Sequence, residues 1–156
     1  MSYVTGSTEP TSDCVLCAMA RSTNDRDSLV LHRGATVFTV LNLYPYNTAH
    51  TLVVPYEHVG DLTRLPPETS IEMWQTVERM VDVIGEEYRP EGFNIGMNLG
   101  RVAGAGIPDH LHVHVVPRWG GDTNFMPITA DTKVLPETVE QTWERLTGAI
   151  GDGAKS

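Results

Sequence analysis

Cysteine is almost missing from this chain: Cys14 and Cys17 are the only two in 156 residues. Two thiols so close together make no disulfide framework. Basic residues are scarce as well, with 11 Lys and Arg against 20 Asp and Glu, a formal net charge of −9. Nucleic acids and anionic membranes are held by clustered Lys and Arg, so neither is an expected partner. A small anion in a local basic pocket is still allowed. No apolar run approaches the roughly 20 residues of a membrane span. Met1 to Asp13 is polar, lacks the basic-then-apolar pattern of a secretion signal, and reads as a disordered arm. Internal repeats and linkers are absent too. The expectation is one soluble, cytoplasmic domain long enough to bury a sizeable core.

What the chain does have is histidine in one place. Asp109-His110-Leu111-His112-Val113-His114-Val115-Val116-Pro117-Arg118-Trp119 holds three of the six histidines. A strand alternates its faces, so a period of two predicts three imidazoles on one face and an aliphatic stripe on the other. Neighbouring rings would lie about 6–7 Å apart along the strand, close enough to touch one small polyanion together.

The remaining segments read in order. Cys14 to Ala20 predicts a short helix with Val15, Leu16 and Met19 turned inward. The C-x-x-C pair is open to three readings: small buried residues, half of a zinc site, or a redox pair. Val37–Leu41 and Thr51–Val54 predict two antiparallel strands around a loop at 42–47, with His50 and His58 flanking the second. Pro66-Pro67-Glu68 opens a long helix whose apolar stripe is Ile71, Trp74, Val77, Met80 or Val81, and Ile84, stopped at Arg89-Pro90-Glu91-Gly92. Phe93 to Leu99 alternates as another strand, with Asn94, Gly96 and Asn98 on its polar face. The small-residue loop 100–108 leads into the histidines, and such loops bring backbone N–H groups close to phosphate oxygens. A last helix from about Pro136 carries Val139, Trp143, Leu146 and Ile150 inward.

Two chemistries compete for the histidine row. A neutral imidazole can attack phosphorus and form a covalent nucleotidyl intermediate, with flanking imidazoles and loop N–H groups neutralising oxygens. Arg101 and Arg118 lie nearby to offset the acidic background. Alternatively His-x-His chelates zinc, although the outer two rings, about 13 Å apart along a straight strand, do not reach one ion.

His110-Leu111-His112-Val113-His114-Val115-Val116 matches the histidine triad signature, His-φ-His-φ-His-φ-φ with φ apolar. The chain therefore resembles the histidine triad (HIT) superfamily. Its ending His-Val-Val-Pro-Arg-Trp-Gly-Gly-Asp, with Asn124-Phe125, is most similar to the bacterial diadenosine polyphosphate (AP-4-A) phosphorylase-type branch. That resemblance implies an α+β, HIT-like fold: an antiparallel sheet, one long amphipathic helix and a C-terminal helix. It implies an arm over 1–13, a HIT domain over 14–127 and a helical extension over 128–156. It further implies a homodimeric enzyme acting on a small-molecule nucleotide, cleaving the α-phosphate linkage of AMP-containing dinucleoside polyphosphates by phosphorolysis or hydrolysis. An adenosine phosphoramidate hydrolase and a non-catalytic nucleotide sensor are the alternatives. By the same resemblance His112 is the nucleophile, His114 its phosphate-side partner, and His50 a residue behind the nucleophile that orients it. Asn42 and Asn98 face ribose and phosphate, and Asn42 stands where many members carry Asp. Val15, Leu16, Met19, Leu41 and Leu43 line the base slot. Ile107 stands where many relatives carry Ser or Thr, which disfavours the phosphoramidase branch and shifts phosphate contact to backbone donors at Ala105 and Gly106. A structural zinc on Cys14, Cys17, His58 and His110 is the final implication, with no organic cofactor.

Overall fold

The computed structural model describes residues 13–122 and 137–153. The expected arm up to residue 12, the Asn124-Phe125 pair and Pro136 fall outside them. The order is α1 (Val15–Arg21), β1 (Val30–Arg33), β2 (Val37–Leu41), β3 (Thr51–Pro55), α2 (Pro67–Tyr88), β4 (Gly92–Gly96), β5 (Val113–Arg118) and α3 (Val139–Gly153). One five-stranded sheet runs β1-β2-β3-β5-β4 with every neighbouring pair antiparallel. The fold is α+β, as expected.

The β2–β3 pair forms where the β-branched runs predict it, and all ten of its residues are buried. Strand β1 carries little signal in the sequence, because Val30-Leu31-His32-Arg33 is short and only half apolar. Glu72 closes its turn to β2 by accepting from the Ala35 and Thr36 N–H groups, each at 2.7 Å, and from the Thr36 hydroxyl. Burial alone would raise the Glu72 carboxyl, but these hydrogen bonds outweigh it and hold it below the ordinary range.

Helix α2 ends where expected, with Arg89 in the left-handed region and its N–H on Gly85 O at 3.1 Å. Its buried face is Thr69, Met73, Val77, Met80 and Ile84. Ile71 and Trp74 are instead 60% and 48% exposed. Both sets meet Val77 at steps of three and four, and the polar Thr69 masked the set that is buried. Helix α3 starts at a reciprocal cap, Gln141 N–H to Thr138 Oγ1 and Thr138 N–H to Gln141 Oε1. Leu146 and Ile150 join the same core as the sheet, with Val139 and Trp143 packed against it. Strand β4 stops at Gly96, short of the expected Leu99, and lies at the sheet edge. No helix among the described residues is long and apolar enough to cross a membrane.

Candidate functional site

Strand β5 begins only at Val113, so His110 and His112 precede it and the three imidazoles do not form one row. His112 and His114 face each other edge to face, ring centroids 5.0 Å apart. His110 is fully buried and turns away into a separate cluster.

Hydrogen bonds assign the protons on the two remaining rings. His112 Nδ1 lies 2.9 Å from the carbonyl oxygen of His110, which only accepts, so Nδ1 carries the hydrogen and Nε2 carries a lone pair. The Tyr46 N–H donates to His50 Nδ1 at 3.0 Å, which puts the His50 proton on Nε2. His50 Nε2–H then donates to His114 Nδ1 at 2.9 Å, leaving the His114 proton on Nε2. The pair thus presents one basic nitrogen and one N–H donor. Burial, and then the nearby His112, hold the His114 imidazole below its ordinary value and keep it neutral. His50 therefore stands behind His114, whereas the expectation placed it behind His112.

Tyr46 escaped the sequence reading. Its ring lies 4.7 Å from that of His50 and nearly parallel to that of His114, at 6.0 Å. The Tyr44-Pro45-Tyr46 run before His50 is the available signal, although its proline marks it first as part of the loop between β2 and β3. Asn42 turns its Oδ1 back to accept the Tyr44 N–H at 3.0 Å. Its Nδ2 sits 3.5 Å from both His50 ring nitrogens, too evenly shared for a directed bond.

The other expected substrate contacts are brought together only in part. Leu41 is buried at the end of β2, Met19 is partly buried, and Leu43 and Val15 are about half exposed, at 52% and 48%. Leu16, at 1% exposure, is a core residue, and Val15 points outward although it was expected inward. Asn98 is exposed and donates to Gly104 O at 3.3 Å, bracing the loop before the histidines. The Ala105 N–H is spent on Gly100 O at 3.3 Å, so of the two expected backbone donors Gly106 is the one without an acceptor among the described residues. Arg118 is held by Asp122 and Asn94, away from any role as a loose cation, while Arg101 is exposed.

The second cluster joins Cys14, Cys17, His58 and His110, all buried, with their ligand atoms within 4.8 Å of one another. His110 Nδ1 lies 3.4 Å from Cys14 Sγ, 3.5 Å from Cys17 Sγ and 3.3 Å from His58 Nδ1, and Cys17 Sγ lies 3.3 Å from His58 Nδ1. A tetrahedron with metal–nitrogen bonds of about 2.0–2.1 Å and metal–sulfur bonds of about 2.3 Å has edges of about 3.3–3.8 Å. His110 Nε2–H donates to Pro55 O at 2.8 Å, so its Nδ1 lone pair faces the cluster. Burial pushes the His110 imidazole down to about 4, partly opposed by that bond and reinforced by His58 and His112. The residues therefore fit a divalent cation. Two segments hold the cluster closed: Leu111 N–H bonds Val59 O at 2.8 Å, and Gly60 lies so close that a Cβ there would meet Pro108 O at 2.7 Å.

The HIT domain model matches residues 23–121. The AP-4-A phosphorylase of Mycobacterium tuberculosis is 48% identical over 119 residues, covering 76% of this chain and 61% of that protein. The chain thus spans less than two thirds of the length of that relative. An uncharacterised HIT-like protein of Methanocaldococcus jannaschii is 31% identical over 109 residues, 70% of this chain and 81% of that one. Among solved structures, a zinc-bound histidine triad family protein from Mycobacterium smegmatis superposes with a TM-score of 0.72 at 27% identity, covering 92% of this chain and 96% of the other. The family match over most of the chain and these relatives agree with the signature at 110–116: the chain belongs to the HIT domain family.

Proposed function

We propose that this chain is a nucleotide-binding enzyme that cleaves dinucleoside polyphosphates at an α-phosphorus through a covalent nucleotidyl-histidine. One observation carries the reading: His112 has its proton fixed on Nδ1 by the His110 carbonyl, which leaves Nε2 as a nucleophile beside the N–H of His114. Similarity to a protein named AP-4-A phosphorylase supports diadenosine tetraphosphate as the substrate.

In the first step Nε2 of His112 attacks the α-phosphorus. A P–N bond forms, and the P–O bond to the remaining polyphosphate breaks. The leaving group departs as ATP, a stable anion that needs little acid assistance. His114 Nε2–H donates to a non-bridging oxygen as charge builds there. In the second step phosphate or water attacks the same phosphorus, the P–N electrons return to His112, and ADP or AMP is released. Leu41 and Leu43, with Val15 and Met19, hold the base, and the amide of Asn42 donates to ribose.

Zinc is our reading of the cation on Cys14, Cys17, His58 and His110, where two thiolates and two imidazoles suit it. With all four positions filled by protein, it supplies cross-linking and not Lewis-acid chemistry. Thiols kept as ligands fit the cytoplasm. The open edge of β4 and the exposed Ile71 and Trp74 of α2 suit a homodimer interface, which sedimentation would read directly.

The test is product chromatography with diadenosine tetraphosphate, with and without phosphate. ATP plus ADP is expected with phosphate, and ATP plus AMP with water alone. The His112→Asn variant should still bind nucleotide while turnover falls at least about 10³-fold. Undiminished product release by that variant overturns the proposal.

A further inference from the structure

The peptide joining His110 to Leu111 belongs to both clusters. Its carbonyl accepts the His112 Nδ1–H at 2.9 Å, and its N–H donates to Val59 O at 2.8 Å. A trans peptide is planar, with these two groups pointing opposite ways, so fixing one side orients the other. Both flanks of that plane run directly into metal ligands. Val59 follows His58, and the His110 ring is itself anchored by Pro55 O while its Nδ1 faces Cys14, Cys17 and His58. Gly60, against Pro108 and Asp109, leaves no slack between the segments.

We propose that His110 is a positioning residue that couples the metal site to the nucleophile. Closing the four-residue site locks the 110–111 peptide, and that peptide holds His112 in the Nδ1–H form with Nε2 bare. The inference rests on reading His112 as the nucleophile and the cluster as a zinc site. Coupling between two sites is reciprocal, so the His112 hydrogen bond must in turn tighten metal retention. That consequence is measurable without any nucleotide. A metal site that merely cross-linked the fold would be indifferent to His112.

The experiment uses the zinc-loaded full chain and follows zinc release to a chromogenic chelator for wild type, His112→Ala and His114→Ala. His112→Ala removes the bond to the 110–111 peptide and should release zinc about tenfold faster, in line with losses of outer-shell partners at other metal sites. His114→Ala removes a neighbouring imidazole without touching that peptide and should release at the wild-type rate. In parallel, ¹⁵N spectra of the zinc-loaded wild type should show His112 protonated on Nδ1, with the Nε2–H form appearing as zinc is withdrawn from the folded protein. Equal release rates for all three proteins, or equal acceleration in both variants, overturn the coupling. A chain that takes up no zinc overturns it together with the zinc reading. Full turnover by His112→Asn overturns the nucleophile reading and leaves the release rates to stand on their own.

Discussion

His112 and His114 are two residues apart and carry their protons on opposite ring nitrogens. The difference comes from what each Nδ1 meets: a carbonyl oxygen for His112, the N–H of His50 for His114. His50 is therefore the residue whose loss should uncouple positioning from binding. With His50→Ala, His114 Nδ1 loses its donor, and kcat for diadenosine tetraphosphate should fall about 10- to 100-fold while KM changes little. His50→Gln, whose amide can still donate, should recover part of that loss. Acidity acts at this scale too. Burial, then His112, lowers the His114 imidazole below 6.5; burial, then Arg79, lowers that of His32, with Glu72 opposing. As pH falls, the unfolded chain takes up these protons first. Stability from both groups is complete above about 6.5 and declines as pH drops from there toward their lower folded values. The urea midpoint should therefore be lower at pH 5.5 than at pH 7.5, and an unchanged midpoint would contradict the assigned directions.

Between the elements, the segment 58–60 packs tightly against the backbone at 108–109. Gly60→Ala would place a Cβ 2.7 Å from Pro108 O and 3.0 Å from Asp109 Cα, both backbone atoms. The two segments must part, and the midpoint of thermal unfolding should drop by an amount equivalent to about 1–3 kcal/mol. Full stability in that variant would mean the contact relaxes freely. The elements themselves were largely legible: β2, β3, α2 and α3 announce themselves through β-branched runs or apolar steps of three and four. The phase of α2 was less so, because Ile71 and Trp74 satisfy the same spacing as Met73 and Thr69. Period two alone puts His110 on the same face as His112 and His114 and says nothing about partners 93 and 96 residues away at Cys17 and Cys14. Only the family resemblance points to the four-residue set that the structure brings together. Local pattern shows which face a side chain prefers, and a distant ligand set can override it.

On the scale of the whole molecule, α3 closes the core that the sheet and α2 begin. Trp143 Nε1–H donates to Val30 O at 2.9 Å, the Tyr88 hydroxyl bonds Glu137, and the Arg145 guanidinium lies 4.0 Å over the Tyr88 ring. Leu146 is completely buried between these contacts. Leu146→Ala should cost about 2–5 kcal/mol, and near- and far-ultraviolet circular dichroism should still report one coincident transition. A separate early transition for the helix would make it an appendage. The diversion of His110 also bears on how the chain finds one arrangement among several. A motif alternating His with aliphatic residues looks the same after a slip of two positions: imidazoles still meet imidazoles and the apolar face stays inward. His110 would then stand where His112 stands, and nothing within the repeat would mark the error. What breaks that degeneracy lies at the ends. In the native register the Cys14, Cys17 and His58 set meets the first ring, and Asp122, Asn94 and Asn47 hold the far end around Arg118. The slip that moves His110 to the place of His112 would bring Pro108 to the set, which offers it no ligand atom. The buried Cys14, Cys17, His58 and His110 cluster thus acts as an index mark, telling the chain which of three identical side chains is the middle one.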